Sequence, residues 1–428
     1  MRLLIRGGRV VDPSQGLDRV ADLLIDHGVV ERVEPGIAPA AHTEVLDAAG
    51  RVVAPGLIDM HVHLREPGQE VKETVASGSA AAVAGGFTAV ACMANTAPVN
   101  DSRLVTEVIL RAAERAALAR VYPVGAISQG LAGEQLAPFG QLAAAGCVAF
   151  SDDGKPVSSA ELMRRALEYA QHSGRPIIQH AQDLDLTGDG VMHEGRWSVC
   201  CGMPGIPGLA EEVMVGRDLL LLEQTGGRYH IAHLSTARSL RLVREARARG
   251  LAVTCEVTPH HLVLTDQAVI EAGFDSRWKM NPPLRAASDL EALLEGLADG
   301  SVDVIASDHA PHTEDEKALE FELAPFGIVG LETSLSICLD RLVHAGVIDL
   351  ARLIDLMSCA PARVLGVPGG SLAPGAPGDV TVIDLEREVE VSAARFRSKS
   401  RNTPFDGWRL RGAAVATVVG GRVVHRLD

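Results

Sequence analysis

The chain has 428 residues, 47% hydrophobic and 22% charged, a globular balance that suits one large domain with a smaller companion. Only 3% are aromatic, so Ala, Val, Leu and Ile must build the core, while 43 glycines suit many tight turns. A net charge of −15 repels phosphate backbones and argues against a nucleic-acid partner, and it obliges any site for an anion to supply its own positive charge.

The opening residues, MRLLIRGGRVVD, carry charges and a glycine pair where a secretory leader would carry a long apolar run. They read as β-structure. Leu3–Ile5, Val10–Val11 and Leu23–Ile25 are short apolar runs, and Asp26-His27-Gly28 parts the last from Val29–Val33 with a hairpin signal. The middle of the chain alternates differently. Strand-like runs at Gly56–His63, Thr88–Asn95, Arg120–Ile127, Gly146–Asp153, Pro176–His180, Tyr229–His233, Ala252–Thr258 and Val302–Asp308 are separated by Ala/Leu-rich helical stretches. The helical stretches include Val71–Ala84, Ser102–Leu118, Ser159–His172, Leu209–Gln224, Thr236–Arg249 and Asp289–Leu297. This is the α/β pattern of a closed, TIM-like (β/α)8 barrel. An open doubly wound sheet is the alternative, weakened because no Gly-rich dinucleotide fingerprint follows the first of these strands.

A Pro/Gly-rich return from Val367 to Gly378 leads to Val380–Ile383, Val389–Val391 and Ala414–Val419, and Gly420-Gly421 turns the chain into Arg422–Val424. Both ends are therefore short-stranded. They are expected to pair into one small β domain made of residues 1–55 and 367–428, flanking a barrel over 56–366. No uninterrupted apolar stretch is long enough to span a membrane. The seven cysteines are scattered, apart from Cys200-Cys201, with no CxxC, which suits reduced thiols and a cytoplasmic protein.

Barrel enzymes work at the carboxyl ends of their strands. Here those ends carry His61-Val62-His63, Ser151-Asp152-Asp153, His180, His233 and Asp308. His61 and His63 alternate on one strand, so both face the barrel interior, where unpartnered imidazoles are unfavourable and metal ligation removes the penalty. His27, His172, His193 and His230 are read instead as surface or satisfied core residues. Imidazoles with carboxylates and no thiolate cluster suit zinc, manganese or cobalt. Six ligands exceed one tetrahedral ion. They suit a pair about 3.5–4 Å apart that shares a bridging carboxylate and a hydroxide. Asp152 and Asp153 compete for the bridge; alternation admits one, and Asp153 is favoured though spacing does not decide it. Arg65, Asn95, Asn281 and His312 lie near the same rim.

Several segments together resemble the dihydroorotases of the amidohydrolase superfamily. They are Gly56–Gly68 (GLIDMHVHLREPG), Met93–Thr96, Phe150–Gly154, Lys279–Arg285, Ala306–His312, Pro325–Glu332 and Ser400–Phe405. The resemblance covers essentially the whole chain. It implies a barrel with a β domain from both termini, and the reversible, water-linked interconversion of dihydroorotate and N-carbamoyl-L-aspartate in pyrimidine synthesis. Many relatives bridge their metals with a carboxylated lysine on strand four. This chain has no lysine there before Lys155, like the branch that uses aspartate. By resemblance, His61, His63 and Asp308 hold one divalent ion, His180 and His233 a second, and Asp153 bridges, with zinc the expected metal. His63, Arg65, Asn95, Asn281, His312 and the Phe326-Gly327 backbone match substrate-binding positions. Asp308 matches the catalytic acid/base, taking the proton of a metal-bridging hydroxide and passing it to the leaving nitrogen. A homodimer is expected, and a complex with aspartate carbamoyltransferase is left open. The alternatives are another cyclic-amide hydrolase, of hydantoinase or allantoinase type, and a silent scaffold for that transferase; Arg65, Asn95 and the filled ligand positions argue against both.

Overall fold

The first and last strands of the chain share one sheet. The computed structural model describes residues 2–427. Strands Arg2–Asp12, Leu17–Asp26, Val29–Glu34, Thr43–Asp47 and Val52–Pro55 meet Val380–Glu390, Arg409–Val419 and Arg422–Arg426 in an eight-stranded sheet. The seam is antiparallel, with Val380 opposite Pro55 and Ile383 opposite Val52. His27 and Gly28 take φ of 49° and 81°, and Gly420 and Gly421 take 55° and 74°. Paired positive values of this kind make the two-residue turns whose twist matches the flanking strands. The runs expected separately at Val380–Ile383 and Val389–Val391 join in one strand to Glu390. No glycine or proline interrupts the stretch, and the chain absorbs the mismatch as a register irregularity between Asp384 and Glu388.

Alternation along Val52-Val53-Ala54 fixes this sheet to its neighbour. Val53 packs with Leu3, Ile5, Leu23, Ile25 and Val380 in the sheet's own core, whereas Val52 and Ala54 join the large cluster around the barrel.

The barrel strands are Leu57–Val62, Phe87–Cys92, Arg120–Gly125, Ala149–Ser151, Ile177–Gln179, Tyr229–Ile231, Val253–Val257 and Val304–Ile305, parallel and in sequential order around the sheet. The gap between the eighth and the first is closed by a parallel bridge from Val62 to His309, by His63 N donating to His309 O at 2.8 Å, and by Asp59 accepting from Ser307 N at 3.2 Å. Met60, Ala91, Val124, Ala149, Ile178 and Val304, drawn from six strands, and Ala232, just past the end of a seventh, form one buried apolar cluster. The barrel is therefore filled, and chemistry is confined to its rim. Helices Val75–Ala84, Arg103–Ala116, Ala160–Ala170, Leu209–Thr225, Ala237–Ala248 and Ala287–Asp299 surround it. The first starts at Val75 rather than Val71 because Thr74 and Ser77 form a reciprocal capping box. Among the described residues no helix is long and apolar enough to cross a membrane. Five cysteines are buried and free; Cys200 and Cys201 are exposed.

Candidate metal centre

Five of the eight strand ends deliver side chains to one spot. His61, His63 and Asp308 present ligand atoms within 4.8 Å of one another, and so do His61, Asp153 and His233. Asp153 is central: Oδ1 lies 3.4 Å from His61 Nε2, 3.5 Å from His180 Nδ1 and 3.4 Å from His233 Nε2, while Oδ2 lies 3.4 Å from His63 Nε2. Asp308 Oδ1 is 3.2 Å from His63 Nε2. Asp152, next in the chain, turns away. Its carboxylate accepts from Ile127 N at 2.7 Å, from Ser128 N at 2.9 Å and from the Ser128 hydroxyl, pinning the end of strand three.

The outer nitrogens of three imidazoles are each committed to an oxygen that accepts. His61 Nδ1 donates to Glu256 Oε1 at 2.5 Å, His63 Nδ1 to Asn95 Oδ1 at 2.9 Å, and His180 Nε2 to Gln182 Oε1 at 2.8 Å. Gln182 is oriented in turn, because its Nε2 donates to Thr187 Oγ1 and its Oε1 also accepts from Asn281 Nδ2 at 2.8 Å. These partners fix the tautomers so that His61 Nε2, His63 Nε2 and His180 Nδ1 point lone pairs inward, the arrangement second-sphere acceptors impose on metal-ligating histidines. His180 Nδ1 and His233 Nε2 face each other at 2.9 Å. His61 Nε2 and Asp153 Oδ1 are buried without a hydrogen-bond partner. Buried polar atoms are rarely left so, and a donor set of imidazoles and carboxylates fits a divalent ion of the zinc class.

The field agrees. Burial acts to raise the Asp153 pKa, but His61, His180 and His233 outweigh it and hold the group well below its ordinary value. Burial likewise acts against Asp308, yet His61 and His63 hold it down at about 2. Burial should lower the His61 pKa, and Asp153, Glu256 and Asp308 instead push it well up, so without a metal a proton on Nε2 stands in for the cation and must leave before that nitrogen can ligate. Ionised carboxylates in so dry a place favour a cation. Arg65, His233 and Asp308 also take φ of 61°, 31° and 48°, backbone conformations that non-glycine residues adopt at a cost and that gather at functional sites.

The proposed substrate-side residues line the same rim. Arg65 is half-buried; its Nε donates to Pro311 O at 3.2 Å and its Nη2 lies 3.4 Å from His312 Nε2. Burial lowers its pKa, and Asp308 is the largest influence opposing that. His312 Nε2 donates to Phe326 O at 2.9 Å, and burial with Arg65 nearby holds that imidazole down at about 3, hence neutral. Gly327 N donates to Lys279 O at 2.9 Å, which ties the Phe326-Gly327 backbone to the loop carrying Asn281.

Sequence reasoning missed an interior polar chain. Glu256, fully buried on strand seven, receives His61 through one oxygen and His230 Nε2 at 3.2 Å through the other, and His230 Nδ1 reaches Thr254 Oγ1 at 2.7 Å. His230 is a satisfied core residue, as expected, but through Glu256 it braces His61. His260, after strand seven, is buried with Nε2 unpartnered, and burial followed by His261 drives its pKa well below the ordinary value. A carboxylate between Cys255 and Val257 in an apolar run was the available signal for Glu256.

Family models and relatives agree with this architecture. Residues 50–239 match a model described as dihydro-orotase-like, and residues 222–425 match one described as the amidohydrolase family. A protein named dihydroorotase from Anaeromyxobacter dehalogenans strain 2CP-C is 56% identical over 423 residues, 99% of this chain and 98% of its own. One of the same name from Citrifermentans bemidjiense is 55% identical over 426 residues, all of both chains. Among solved structures, an L-hydantoinase (dihydropyrimidinase) from Arthrobacter aurescens superposes with a TM-score of 0.88 at 25% identity, covering 100% of this chain and 97% of that one. The residue motifs, the barrel rim and these full-length relatives converge on one conclusion: this chain belongs to the dihydroorotase family of amidohydrolases.

Proposed function

We propose that this chain is a dihydroorotase, interconverting dihydroorotate and N-carbamoyl-L-aspartate in the cytoplasm as a step of pyrimidine synthesis. The observation that carries it is the convergence of inward imidazole lone pairs, two ionised carboxylates and the Arg65 guanidinium on one barrel rim. His61, His63 and Asp308 would hold one divalent ion, His180 and His233 another, with Asp153 between them; zinc suits the donor set. When bound, such ions polarise the scissile carbonyl and lower the pKa of a nucleophilic water toward neutrality.

The protein's own groups do the rest. Asp308, ionised at neutral pH, accepts the proton that attacking water loses and delivers it to the leaving amide nitrogen. Arg65 pairs with the substrate carboxylate, answering the problem an anion meets in a protein of charge −15. His312, neutral and fixed on Phe326 O, shapes the same side of the pocket. Asn95 and Asn281 orient His63 and Gln182 and contribute amide donors to substrate. The filled ligand positions argue against a silent scaffold for aspartate carbamoyltransferase; a homodimer and a complex with that transferase are both compatible with this role.

The test is a steady-state assay of purified protein on dihydroorotate, hydantoin and allantoin, before chelation, after it, and after zinc is restored. Turnover of dihydroorotate that chelation abolishes and zinc restores is expected, with up to two ions per chain. Undiminished activity in metal-free protein would overturn the metal assignment. Preference for hydantoin or allantoin would overturn the substrate.

A further inference from the structure

The segment Ser400–Phe405 belongs to no strand of either sheet and supplies no candidate ligand, yet Asn402 within it is buried and spends both polar atoms of its side chain on the barrel rim. Its Nδ2 donates to Ala310 O at 3.0 Å and to Gly327 O at 3.0 Å. Its Oδ1 accepts from His312 N at 3.3 Å, and its main-chain carbonyl accepts from Val329 N at 2.9 Å. One side chain therefore joins the loop after strand eight, which carries His312, to the following loop, which carries Phe326-Gly327.

Lys317 reaches the same carbonyl from a different element. It ends the short helix Glu314–Lys317 and is buried. Its Nζ donates to Gly327 O at 3.1 Å, Pro325 O at 2.9 Å and Lys279 O at 3.4 Å. An ammonium has three donors, and here all three meet main-chain oxygens of the two loops that bear Asn281 and Phe326-Gly327. Burying a lysine this way is unfavourable unless its contacts are worth keeping. The held residue has little slack. Gly327 has φ of 129°, and a Cβ there would stand 2.8 Å from Ala310 Cβ and 3.2 Å from His312 Nε2. The loop is thus pressed against His312 with no side chain between.

We propose that Lys317 and Asn402 are positioning residues of the substrate site, which together clasp the Gly327 carbonyl and so set where the Phe326-Gly327 backbone stands relative to His312. The inference deepens the dihydroorotase reading and rests on it for the substrate. Neither residue is among the metal-facing groups. Loosening the clasp therefore weakens ground-state and transition-state binding together, which raises KM and leaves kcat.

The test compares Lys317→Met, Lys317→Arg and Asn402→Ala with the wild type on dihydroorotate below about pH 7, where Lys317 holds its proton, with metal content and thermal midpoint measured on each sample. Lys317→Met and Asn402→Ala should raise KM by roughly tenfold, the order expected when a charge-assisted or doubly donated contact is lost, with kcat within about threefold and metal content unchanged. Lys317→Arg keeps the charge and the donors and should recover most of the lost affinity. A folded, metal-loaded Lys317→Met enzyme with wild-type KM overturns the proposal. So does a fall in kcat that tracks lost metal, because that marks a purely structural role. If Asn402→Ala does not fold, the two Lys317 variants decide alone. If the wild type hydrolyses hydantoin or allantoin instead, the substrate assignment fails while the KM comparison on that compound still decides the clasp.

Discussion

The sheet built from the two termini and the mouth of the barrel are equally dry and held together by opposite means. Leu3, Leu23, Ile25 and Val380 are fully buried in the sheet, as His61, Glu256 and His230 are in the barrel. In the sheet the gain is non-directional, about 25 cal/mol for each Å² of apolar surface removed from water, so volume matters more than identity. In the mouth three buried imidazoles each lean on a named partner: His61 on Glu256, His63 on Asn95, His180 on Gln182. Removing one partner leaves a buried charge or donor stranded, which costs more than the pair is worth. Burial alone thus says little about role; what separates the regions is whether a residue can be exchanged.

The largest effect should come from the centre of the mouth. Asp153→Ala removes the carboxylate that faces four imidazoles, and metal and activity should disappear together. Asp152→Ala should keep its metal and lose stability instead, because Ile127 N and Ser128 N are left without an acceptor. Metal analysis with thermal melts of both variants distinguishes them. An Asp152 variant that empties the site while Asp153→Ala does not would reverse the assignment.

Asp308 should come next. Asp308→Asn keeps the size and one oxygen but cannot carry the proton. With His61, His63 and Asp153 still in place, metal should be weakened at most moderately. Turnover should fall by roughly 10²–10⁴-fold in both directions, the usual worth of a positioned acid/base. Ring opening needs the ionised form and ring closure the protonated one, so closure in the wild type should gain on opening as pH falls. Near-normal rates in a metal-loaded variant would leave Asp308 as a ligand only.

The same contrast governs what the sequence reveals. Buried parallel strands read as apolar runs, so all eight barrel strands were found, and HxH declared its shared face by alternation. Their ends were placed too far along. The sequence suggests Thr88–Asn95 where the ladder covers Phe87–Cys92, because the chain leaves the sheet before it reaches Asn95, whose side chain meets His63. Asp152 and Asp153 are neighbours whose directions depend on which finds Ile127 N and Ser128 N, contacts about which spacing is silent. Glu256 and His230 meet across adjacent strands, 26 residues apart, and Asn402 meets His312 N from 90 residues away. Nothing periodic connects such pairs.

A substitution in the sheet should give the reverse signature of one in the mouth. Leu23→Ala deletes a fully buried side chain from the terminal core and should lower unfolding stability by about 2–5 kcal/mol, while kcat on folded protein stays at the wild-type value. Chemical denaturation alongside the activity assay checks both. A large loss of kcat in folded Leu23→Ala protein would mean that the sheet tunes the site and would break the contrast.

The smallest effect tests a lysine that belongs to neither class. Lys317 is buried, yet its ammonium meets only main-chain carbonyls. Burial first, then the neighbouring Lys279, pushes its pKa down from 10.5 to about 7, against the pull of Asp275 and Glu316. The sign of the consequence is fixed by proton counting. Below about pH 7 folded and unfolded chains both hold the proton, and the full penalty of burying the charge is present. Between that value and the ordinary lysine pKa the unfolded chain still binds the proton while the folded chain has released it. Stability from this group should therefore rise with pH through the window, by at most about 1.4 kcal/mol for each pH unit. Lys279, lowered to about 8 mainly by burial, acts in the same sense, so the wild type alone cannot isolate Lys317. Lys317→Met removes one titration and keeps the other. The measurement is the difference in unfolding free energy between wild type and Lys317→Met across the alkaline range. That difference should move in favour of the wild type as pH rises, on top of a constant offset from the lost hydrogen bonds. A flat difference would mean that Lys317 holds its proton as tightly when folded as when unfolded, and that its carbonyl cage compensates the burial in full.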